Sequence, residues 1–583
     1  MNNLAQLLQH HAGTPDKVLY RQWETGPTVD GSAEAAAWHD YTVAQVIALA
    51  ARWQHAFRRC GFEKGDRIAI CLKNSVQWVA IDQAALGMGL VVVPLYVIDN
   101  AENIAWCAGN SDARLLVLDT PRALPRLREL MPSPPAVVCI EAPTTQAAGD
   151  GRSPGQWFDT AEAFLSAGAP PSDVTPSEVP PFEVLTLEPD TLATIVYTSG
   201  TTGKPKGVKL SHANILANVE ASSKVIALRD TDTSLSVLPM SHMFERTCGC
   251  YLMLRAGVCV AYARGIQQLG EDLAAVRPTL LVAVPRLFER FLARIEQAVA
   301  GSAVKRTLFR MTVRYGWKVF LGKANLFERL AYARLQPLVA APILEKLGGR
   351  LRLAAAGGAK LELRIARTFI GLGLKMIQGY GMTEASPVIA GNREDDNDPS
   401  SVGQLLDGLE SRISDAGELL VRGPSVMQGY WRNPEATAKV LSADGWLNTG
   451  DIVEIRAGKI YIRGRSKDII VLSNGEKFPP EEAEAALLDN PVFEQVMLVG
   501  EGRHFLTLLA VTQETDEKKL VRLANQQIKD FPRYVRVRRV IPVTEPWTID
   551  NGMLTPTLKV KRPLVTQRFA HSIEAVYGRD SED

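Results

Sequence analysis

The sequence predicts an α/β protein with a large N-terminal body, built from parallel αβ sheets plus a small β subdomain, and a small α+β C-terminal domain. Three observations lead to this prediction. The chain has 583 residues, whereas single hydrophobic cores stop growing near ~250–300 residues. Helical and strand patterns alternate over most of the chain, as in parallel sheets with helical crossovers. From Ser411 to Ile462 the pattern changes to short strands separated by turn signals.

The first part of the chain contains alternating elements. Tyr41–Cys60 has apolar residues at helical spacing, and Arg67–Cys71 is a short strand pattern. The next elements are a helix over Ser75–Met88, a strand over Leu90–Val93 and apolar strand runs at Leu115–Leu118 and Ala136–Ile140. Glu141–Asp190 is rich in Pro, Gly, Ala, Ser and Thr, which predicts a long surface connection rather than a core element.

After Leu192 the α/β alternation resumes and continues to about Val402. We expect an N-terminal domain over residues 1–464, with the β-rich subdomain at about 403–464. The remaining residues, 465–583, are expected to form the separate α+β domain.

Composition excludes several classes of protein. Lys and Arg number 65 against 64 Asp and Glu, which argues against a dedicated nucleic-acid binder. The seven cysteines do not form a disulfide framework, so buried thiols in a reducing compartment are expected. The first residues lack the basic and apolar regions of a signal peptide. The longest apolar run, Ala84–Ile98, is shorter than the ~20 residues that span a bilayer, so we expect a cytoplasmic protein.

The most informative segment is TIVYTSGTTGKPKGVKLSH, residues 194–212. A β-branched strand leads directly into a loop of glycines, hydroxyl residues and lysines. Glycines let backbone N–H groups turn toward an anion, and the hydroxyl and lysine side chains add donors and positive charge. The spacing is not that of a Walker A loop, because only two residues separate Gly200 from Gly203-Lys204 and Pro205 follows. The segment therefore predicts a triphosphate-binding loop of another kind.

This loop resembles the phosphate-binding signature of the AMP-forming adenylate synthetases, which include acyl-CoA synthetases, firefly luciferases and peptide-synthetase adenylation domains. Further motifs follow in that family's order: QGYGMTEASP (378–387), GELLVRGPSVMQGYW (417–431), GWLNTGD (445–451), YIRGRSKDIIVLSNGEKFPPEEAE (461–484) and NGMLTPTLKVKR (551–562). The wording of LPMSHMFER (238–246), RPTLLVAVPRLFER (277–290) and LTPTLKVKR is similar to the long-chain fatty-acyl-CoA synthetase branch.

The resemblance implies a two-step reaction. A carboxylate attacks the α-phosphate of ATP, giving acyl-AMP and pyrophosphate, and the thiol of coenzyme A then displaces AMP. ATP, Mg²⁺ and coenzyme A are the implied cofactor and co-substrates, and a fatty acid is the implied substrate. Because the first step brings anions together, catalysis needs cations and oriented donors. Adenylation of a medium-chain or other carboxylic acid with transfer to a carrier protein, and a catalytically silent nucleotide-binding protein, remain alternatives.

The resemblance also assigns the phosphate and metal contacts. The residues implied to hold the β- and γ-phosphates are Thr198, Ser199, Gly200, Thr201, Thr202, Gly203 and Lys206. Glu384 matches the acid that binds Mg²⁺, with Thr198 as a second candidate ligand, because a hard cation prefers oxygen ligands. Thr383 is implied to contact the α-phosphate.

The remaining nucleotide contacts follow from the same motifs. The residues implied to line the adenine and acyl pocket are Gly357, Gly358, Ala359, Gln378, Gly379, Tyr380 and Gly381, with Tyr380 flanking adenine. Asp451 matches the ribose-binding aspartate, since a carboxylate can accept hydrogen bonds from both hydroxyls. Arg465 matches the arginine that also reaches the ribose.

Catalysis and domain rotation are assigned to the last part of the chain. Lys559 matches the catalytic lysine, although Leu558 stands where the common motif has glycine, and Lys561 is the alternative. Lys467 is implied to lie at a hinge near 465–468, where the C-terminal lid domain rotates and brings Gly475 toward the pantetheine of coenzyme A. His242 is either a substrate-proximal residue or a core histidine.

Two further features concern the substrate and a membrane. The wall at Ala354–Ala359 and the segment after Met240 are the candidate acyl tunnel. Val304–Leu335 is basic and amphipathic, which indicates either a peripheral contact with the inner face of a membrane or a core-packed helix with a solvated basic face. Arg533, Arg536, Arg538 and Arg539 alternate with valines on an expected strand and could contact coenzyme A or solvent.

Overall fold

The computed structural model describes residues 1–24, 36–141, 158–166, 181–198, 204–555 and 559–579. The strands that precede residue 466 are β1 (Val18–Glu24), β2 (Ala37–Thr42), β3 (Arg67–Cys71), β4 (Val91–Pro94), β5 (Ala113–Leu118), β6 (Ala136–Cys139), β7 (Phe158–Thr160), β8 (Leu192–Thr198), β9 (Lys206–Ser211), β10 (Thr233–Ser236), β11 (Cys259–Tyr262), β12 (Leu280–Ala283), β13 (Leu353–Ala356), β14 (Lys375–Gly381), β15 (Val388–Gly391), β16 (Gln404–Leu405), β17 (Glu410–Ile413), β18 (Glu418–Arg422), β19 (Leu447–Arg456) and β20 (Lys459–Arg465).

The helices of the same part are α1 (Gln6–Gln9), α2 (Val43–Arg59), α3 (Val76–Gly87), α4 (Ala101–Asn110), α5 (Leu124–Leu130), α6 (Ala161–Ser166), α7 (His212–Ser223), α8 (Leu252–Ala256), α9 (Leu269–Val276), α10 (Pro285–Ala300), α11 (Ala303–Phe320), α12 (Leu326–Leu335), α13 (Ala341–Glu345), α14 (Leu363–Gly371) and α15 (Pro434–Ala438). π-Helical segments lie at Glu245–Tyr251 and Gln336–Ala340, and 3₁₀ turns at Pro121–Ala123 and Thr383–Ala385.

The last part of the chain has its own elements. They are a 3₁₀ turn (Ser466–Asp468), β21 (Ile470–Val471), β22 (Lys477–Phe478), α16 (Pro480–Leu488), β23 (Gln495–Val499), β24 (Leu506–Val511), α17 (Glu517–Gln527), a 3₁₀ turn (Arg533–Val535), β25 (Val537–Val543), α18 (Arg562–Arg568) and α19 (Ala570–Arg579). Among the four arginines expected on one strand, Arg533 and Arg536 lie before β25, so that expectation is wrong for them: Val535 is buried in a 3₁₀ turn that interrupts the alternation.

Two large sheets form the N-terminal body. The seven-stranded sheet has the order β7-β6-β5-β3-β4-β8-β9 and is parallel except for the β8–β9 pair. The thirteen-stranded sheet has the order β17-β18-β19-β20-β16-β15-β14-β13-β12-β10-β11-β1-β2. Its strands from β14 to β1 are parallel neighbours, and its two ends are antiparallel. The predicted α/β class with a separate C-terminal domain is confirmed.

The C-terminal domain has a two-stranded sheet, β21-β22, and a three-stranded sheet, β23-β24-β25. Its strands and helices bury two apolar clusters of their own, one of which includes Leu487, Leu508 and Leu520. A domain with its own core can move as a unit. The boundary between residues 464 and 465 and the β-rich subdomain limits stay predictions.

The apolar run that follows Ser75 shows how the sequence determines local structure. The Ser75 side chain accepts a hydrogen bond from the Trp78 backbone N–H and caps α3, which is buried over almost its whole length. Gly89, at φ +71°, then reverses the chain into β4 at the centre of the seven-stranded sheet. The run is therefore a buried helix followed by a buried strand, as predicted. Among the described helices, none is long and apolar enough to cross a bilayer.

Most early elements match the sequence prediction. The predicted helix over Tyr41–Cys60 is α2, and the predicted strand at Arg67–Cys71 is β3. The prediction of a connection without core elements over Glu141–Asp190 is wrong for residues 158–166. There β7 adds to the sheet beside β6, and the α6 residue Phe164 packs its ring 5.7 Å from that of Trp53. Residues 142–157 and 167–180 of that range lie outside the described residues, and residues 181–190 form no helix or strand.

The cysteines are all free thiols. Five of them, Cys71, Cys107, Cys139, Cys248 and Cys250, are buried, whereas Cys60 is exposed. Burial raises the pKa of the Cys248 thiol to about 12, so this thiol stays protonated and acts as a small apolar group.

Candidate active site

Strands β8 and β9 flank the glycine-rich loop at one edge of the seven-stranded sheet. They pair antiparallel with Thr198 opposite Lys206, and the Thr198 hydroxyl donates to the Lys206 carbonyl oxygen at 3.5 Å. The other predicted phosphate-binding residues lie outside the described residues: Ser199, Gly200, Thr201, Thr202 and Gly203. Thr198 and Lys206 therefore fix the two ends of the loop.

Tyr430 connects this loop to the predicted metal-binding acid. The Lys206 ammonium lies 5.2 Å from the centre of the Tyr430 ring, within cation–π range. The Tyr430 hydroxyl donates to Glu384 Oε1 at 2.7 Å. Burial and the Glu384 carboxylate raise the pKa of Tyr430, so the hydroxyl keeps its proton as a donor. Tyr430 lies inside the motif GELLVRGPSVMQGYW, but the sequence analysis did not single it out.

The predicted pocket residues lie where two parallel strands end. β13 and β14 are neighbours with Ala356 opposite Gln378. Gly357 directly follows β13, and Gly379 is the next residue of β14 beyond this pairing. The other predicted members, Gly358, Ala359, Tyr380, Gly381 and Thr383, continue from the same two strands. Ligands of α/β sheets bind at the carboxyl ends of the strands. This edge is therefore the place where the fold favours a ligand.

Asp451 is held by two of the residues predicted to act with it. It faces Arg465 across the β19–β20 pair, and Arg465 Nε donates to Asp451 Oδ1 at 3.0 Å. The Tyr380 hydroxyl donates to Asp451 Oδ2 at 2.6 Å. Burial, followed by the negative charge of Asp451, raises the pKa of Tyr380. The buried carboxylate is thus fixed from both sides, with both oxygens presented to donors.

Lys559 brings the C-terminal domain to this cluster. Lys559 is exposed, and partial desolvation by the neighbouring protein lowers the pKa of Lys559. The positive charge of Arg465 lowers it further, whereas Glu481 and Asp451 oppose the shift. The Lys559 backbone is anchored by reciprocal hydrogen bonds with Thr555, at 2.9 and 3.0 Å. The structure therefore brings Lys559 together with the predicted ribose-binding pair.

Lys561, the alternative to Lys559, points elsewhere. Its charge acts on Asp99, which precedes α4 in the N-terminal body. The Lys561 backbone begins α18. The two lysines therefore have different surroundings, and the charged groups near Lys559 include Asp451 and Arg465 of the predicted nucleotide site.

His242 lies close enough to Lys559 for their charges to interact. Burial, and secondarily the Lys559 ammonium, lower the pKa of His242 to about 4, so the imidazole is neutral at pH 7. Its Nδ1 accepts the backbone N–H of Phe244 at 3.1 Å, which leaves Nε2 to carry the ring proton. The imidazole is half-buried and can donate a hydrogen bond from Nε2.

An apolar cavity opens behind the Gly357 edge. Its volume is about 520 Å³, including the open mouth. Its walls include Phe244 and Cys248 from the segment after Met240, and Ala355 and Ala356 from β13. These are the two segments in which the sequence predicts the acyl tunnel. The other wall residues are Ser222, Val225, Ile226, Leu252, Met253, Val282, Ile377, Gln378, Gly379, Val388, Gly391, Asn392 and Leu406.

Phe244 lines the cavity and packs closely against Gly357. A Cβ at residue 357 would lie 2.7 Å from Phe244 Cζ, so the absence of a side chain at Gly357 allows the ring to take this position. Gln378, on the opposite wall, is buried and its Oε1 has no hydrogen-bond donor among the described residues. A polar group at the mouth of an apolar cavity orients a ligand that has one polar end.

Lys467 and Gly475 lie away from this cluster. Lys467 is exposed in the 3₁₀ turn Ser466–Asp468 and its charge acts on Glu418. Gly475, at φ +84°, lies in the turn between β21 and β22 with open space around its α-carbon. The C-terminal domain also contacts the body through an ion pair between Lys360 and Glu482. The predicted hinge position is thus exposed, as a residue that changes backbone conformation can be.

The residues near Glu384 fit a magnesium ion. Mg²⁺ is usually bound by one or two carboxylates plus substrate phosphates and waters. Glu384 supplies one carboxylate, and only Oε1 receives a hydrogen bond from the described residues. Oε2 is therefore available, and Thr198 adds a hydroxyl oxygen at the start of the phosphate-binding loop.

Two family models match this chain. The AMP-binding enzyme model covers residues 9–431, and the AMP-binding enzyme C-terminal domain model covers residues 467–581. The chain therefore belongs to the AMP-binding enzyme family. The match of both models also agrees with a large body followed by a separate C-terminal domain.

Curated relatives and solved structures extend this result. The chain is 31% identical over 613 residues to the long-chain-fatty-acid–CoA ligase FadD15 of Mycobacterium tuberculosis, covering 99% of this chain and 97% of that protein. It is 28% identical to the long-chain-fatty-acid–[acyl-carrier-protein] ligase AEE15 of Arabidopsis thaliana, covering 89% and 80%. The fold is similar to ATP-bound MatB from Rhodopseudomonas palustris (TM-score 0.70, 21% identity, 98% and 99% covered). It is also similar to the adenylation domain of a carboxylic acid reductase from Segniliparus rugosus (TM-score 0.72, 20% identity, 99% and 94% covered).

Proposed function

We propose that this protein activates a long-chain fatty acid with ATP and transfers the acyl group to coenzyme A. The products are acyl-CoA, AMP and pyrophosphate. The observation that carries the proposal is the assembly of Lys559 with the Asp451–Arg465 pair, in a protein with an apolar cavity lined by β13 and β14. The near full-length similarity to FadD15 supports the same activity.

In the first step a carboxylate oxygen attacks the α-phosphorus of ATP. A new bond forms between that oxygen and phosphorus, and the bond from phosphorus to the bridging oxygen of pyrophosphate breaks. Both reactants are anions, so positive charge near the phosphorus in the pentacoordinate transition state lowers the barrier. In our proposal Lys559 provides this charge beside the carboxylate and α-phosphate. Lys206 serves the leaving pyrophosphate.

In the second step the sulfur of coenzyme A attacks the acyl carbon. The carbon–oxygen bond to the phosphate breaks, AMP leaves with the oxygen, and the thiol proton passes to solvent or base. His242 is neutral at pH 7 and donates from Nε2, so we assign it to the carbonyl oxygen of the acyl group. We also propose that the domain over 465–583 rotates about Lys467 for this step, so that Gly475 approaches pantetheine.

Asp451, Arg465 and Tyr380 form the proposed nucleoside site. Asp451 is buried and held in position by hydrogen bonds from Tyr380 and Arg465. Ribose hydroxyls can replace these donors without movement of the carboxylate. Bound at Glu384 and Thr198, Mg²⁺ would neutralise phosphate charge.

The alternative acceptor is a carrier protein, as the name of the relative AEE15 states for that enzyme. Both reactions begin with adenylation and differ only in the thiol that receives the acyl group. A carrier protein needs a docking surface, whereas coenzyme A needs only a channel for its pantetheine.

The test is AMP release across carboxylates of two to eighteen carbons, with and without coenzyme A. We expect coenzyme-A-dependent AMP release that is largest for long chains, with acyl-CoA formed in equal amount. ATP–pyrophosphate exchange without acyl-CoA would instead favour the carrier-protein reaction. No exchange with any carboxylate would contradict adenylation itself.

We also propose a cytoplasmic protein that contacts a membrane surface. A long-chain fatty acid partitions into lipid, so an enzyme at the bilayer meets a higher substrate concentration than one in bulk water.

A further inference from the structure

Helices α11 and α12, with the adjoining π-helical segment Gln336–Ala340, form a surface that we call the α11–α12 face. The structure divides the single basic segment seen in the sequence into these elements. Nineteen large apolar side chains are exposed among the described residues, and nine of them lie on this face: Val304, Leu308, Val319, Phe320, Leu321, Leu326, Phe327, Leu330 and Leu338. Leu326, Phe327 and Leu338 are each at least 70% exposed. Such a concentration marks an interaction surface.

The segment that forms this face is strongly cationic. Residues 303–340 contain eight Lys and Arg and one acid, Glu328, a net charge of 8 − 1 = +7. Arg306, Arg310 and Arg314 are spaced by four, so they share one side of α11 and repel one another. Glu328 pairs with Lys318. Within the described part of the chain, no carboxylate lies within 4.0 Å of the three arginine guanidinium groups.

Close packing holds α11 with this side outward. Phe309, Thr312 and Gly316 are its buried residues. A Cβ at Gly316 would lie 2.0 Å from the Gly371 carbonyl oxygen of α14, so only glycine permits this approach. The exposed arginines therefore belong to a helix fixed against the body rather than to a free loop.

We propose that the α11–α12 face docks on an anionic lipid bilayer. Apolar side chains beside lysines and arginines are the pattern of helices that lie in the membrane interface, and cations near an anionic surface are attracted to it. A second copy of this chain is a poor occupant, because a two-fold interface would place two +7 faces against each other. The proposal deepens the membrane contact proposed above, and the vesicle-binding measurement that tests it needs no fatty acid or ATP.

The test is flotation of the full-length protein with vesicles of phosphatidylcholine alone or with 30% phosphatidylglycerol. We expect binding to the anionic vesicles at 50 mM NaCl that weakens at 500 mM NaCl. The variant R306Q/R310Q/R314Q should bind anionic vesicles roughly 100-fold more weakly, at about fivefold for each cation. The variant L326S/F327S/L330S should weaken binding at both salt concentrations, because insertion of apolar groups is not screened.

A matched control changes three exposed arginines elsewhere, as R52Q/R122Q/R568Q. It should bind as the unchanged protein does, and all variants should keep the same melting temperature and the same ATP–pyrophosphate exchange. The proposal would be overturned if the unchanged protein fails to bind anionic vesicles. It would also be overturned if R52Q/R122Q/R568Q loses as much vesicle binding as R306Q/R310Q/R314Q. The proposal would also be overturned if the protein forms a dimer that L326S/F327S/L330S dissociates while binding to lipid stays unchanged. Loss of exchange with vesicle binding intact would count against the proposed function alone.

Discussion

Replacing Lys559 with alanine separates the two half-reactions. The ammonium shares its surroundings with Arg465 and the acids Asp451, Asp468 and Glu481. Its removal changes the net charge of this group from −1 to −2, against a substrate that is itself an anion. A cation about 4 Å from a phosphate oxygen contributes about 4 kcal/mol at an effective dielectric constant of about 20. We therefore expect adenylation to fall by roughly 10²–10³-fold, the range measured for loss of one stabilising donor.

The assay measures each half-reaction. ATP–pyrophosphate exchange with hexadecanoate reports adenylation, and supplied hexadecanoyl-AMP with coenzyme A reports thioester formation, which should stay within about fivefold because Lys559 acts on the first step. K561A is the matched control and should keep both rates, since Lys561 faces Asp99. Equal loss of both half-reactions in K559A, or a larger loss in K561A, would refute the assignment.

The same variant has a readout that does not depend on turnover. Lys559 lowers the pKa of His242, so the pKa should rise above about 4 in K559A, although burial keeps it below the ordinary value. Histidine NMR titration measures this shift. An unchanged pKa would show that Lys559 does not lie near His242 in solution.

Three further predictions concern buried polar groups. Asp82→Asn leaves the fully buried Arg246 without its counter-charge. The substitution should lower the free energy of unfolding by about 3–5 kcal/mol, measured by chemical denaturation, and a change below 1 kcal/mol would contradict this. Burial raises the pKa of Glu245 to about 8, so the folded state binds a proton that the unfolded state releases. The contribution of Glu245 to the free energy of unfolding is therefore fully present below about pH 4.5 and falls by about 5 kcal/mol as pH rises through 8, and Glu245→Gln should remove this part of the pH dependence in denaturation series. Tyr430→Phe frees Glu384 Oε1 of its donor and should lower adenylation about tenfold in the exchange assay, whereas an unchanged rate would show that this hydrogen bond does not position the acid.

Much of the site is predictable because its residues lie in short, ordered motifs. Asp451 and Arg465 come from two motifs, and their pairing across β19 and β20 follows from a hairpin that the turn residues between them predict. Strands with clear apolar runs, such as β3 and β5, are predictable for the same reason. In these strands the apolar residues whose pattern predicts the strand are the same residues that the core buries.

The remaining features depend on contacts between distant segments. Tyr430 gains its importance from Lys206 and Glu384, which are far from it in the chain. The choice between Lys559 and Lys561 depends on the direction of two side chains two residues apart, and spacing alone does not determine it. The elements β7 and α6 are too short for a periodic signal and are stabilised by their neighbours. The exposure of the α11–α12 face likewise follows from close packing at Gly316.

The final position of one carboxyl oxygen tests directly whether the fatty acid is activated as acyl-AMP. With hexadecanoate labelled with ¹⁸O in both carboxyl oxygens, ATP and coenzyme A, attack on the α-phosphorus followed by thiolysis leaves one carboxyl oxygen on the nucleotide. Adenylation followed by thiolysis gives AMP that carries one ¹⁸O, with unlabelled pyrophosphate and hexadecanoyl-CoA that carries one ¹⁸O. Unlabelled AMP, or ADP together with labelled phosphate, would contradict it.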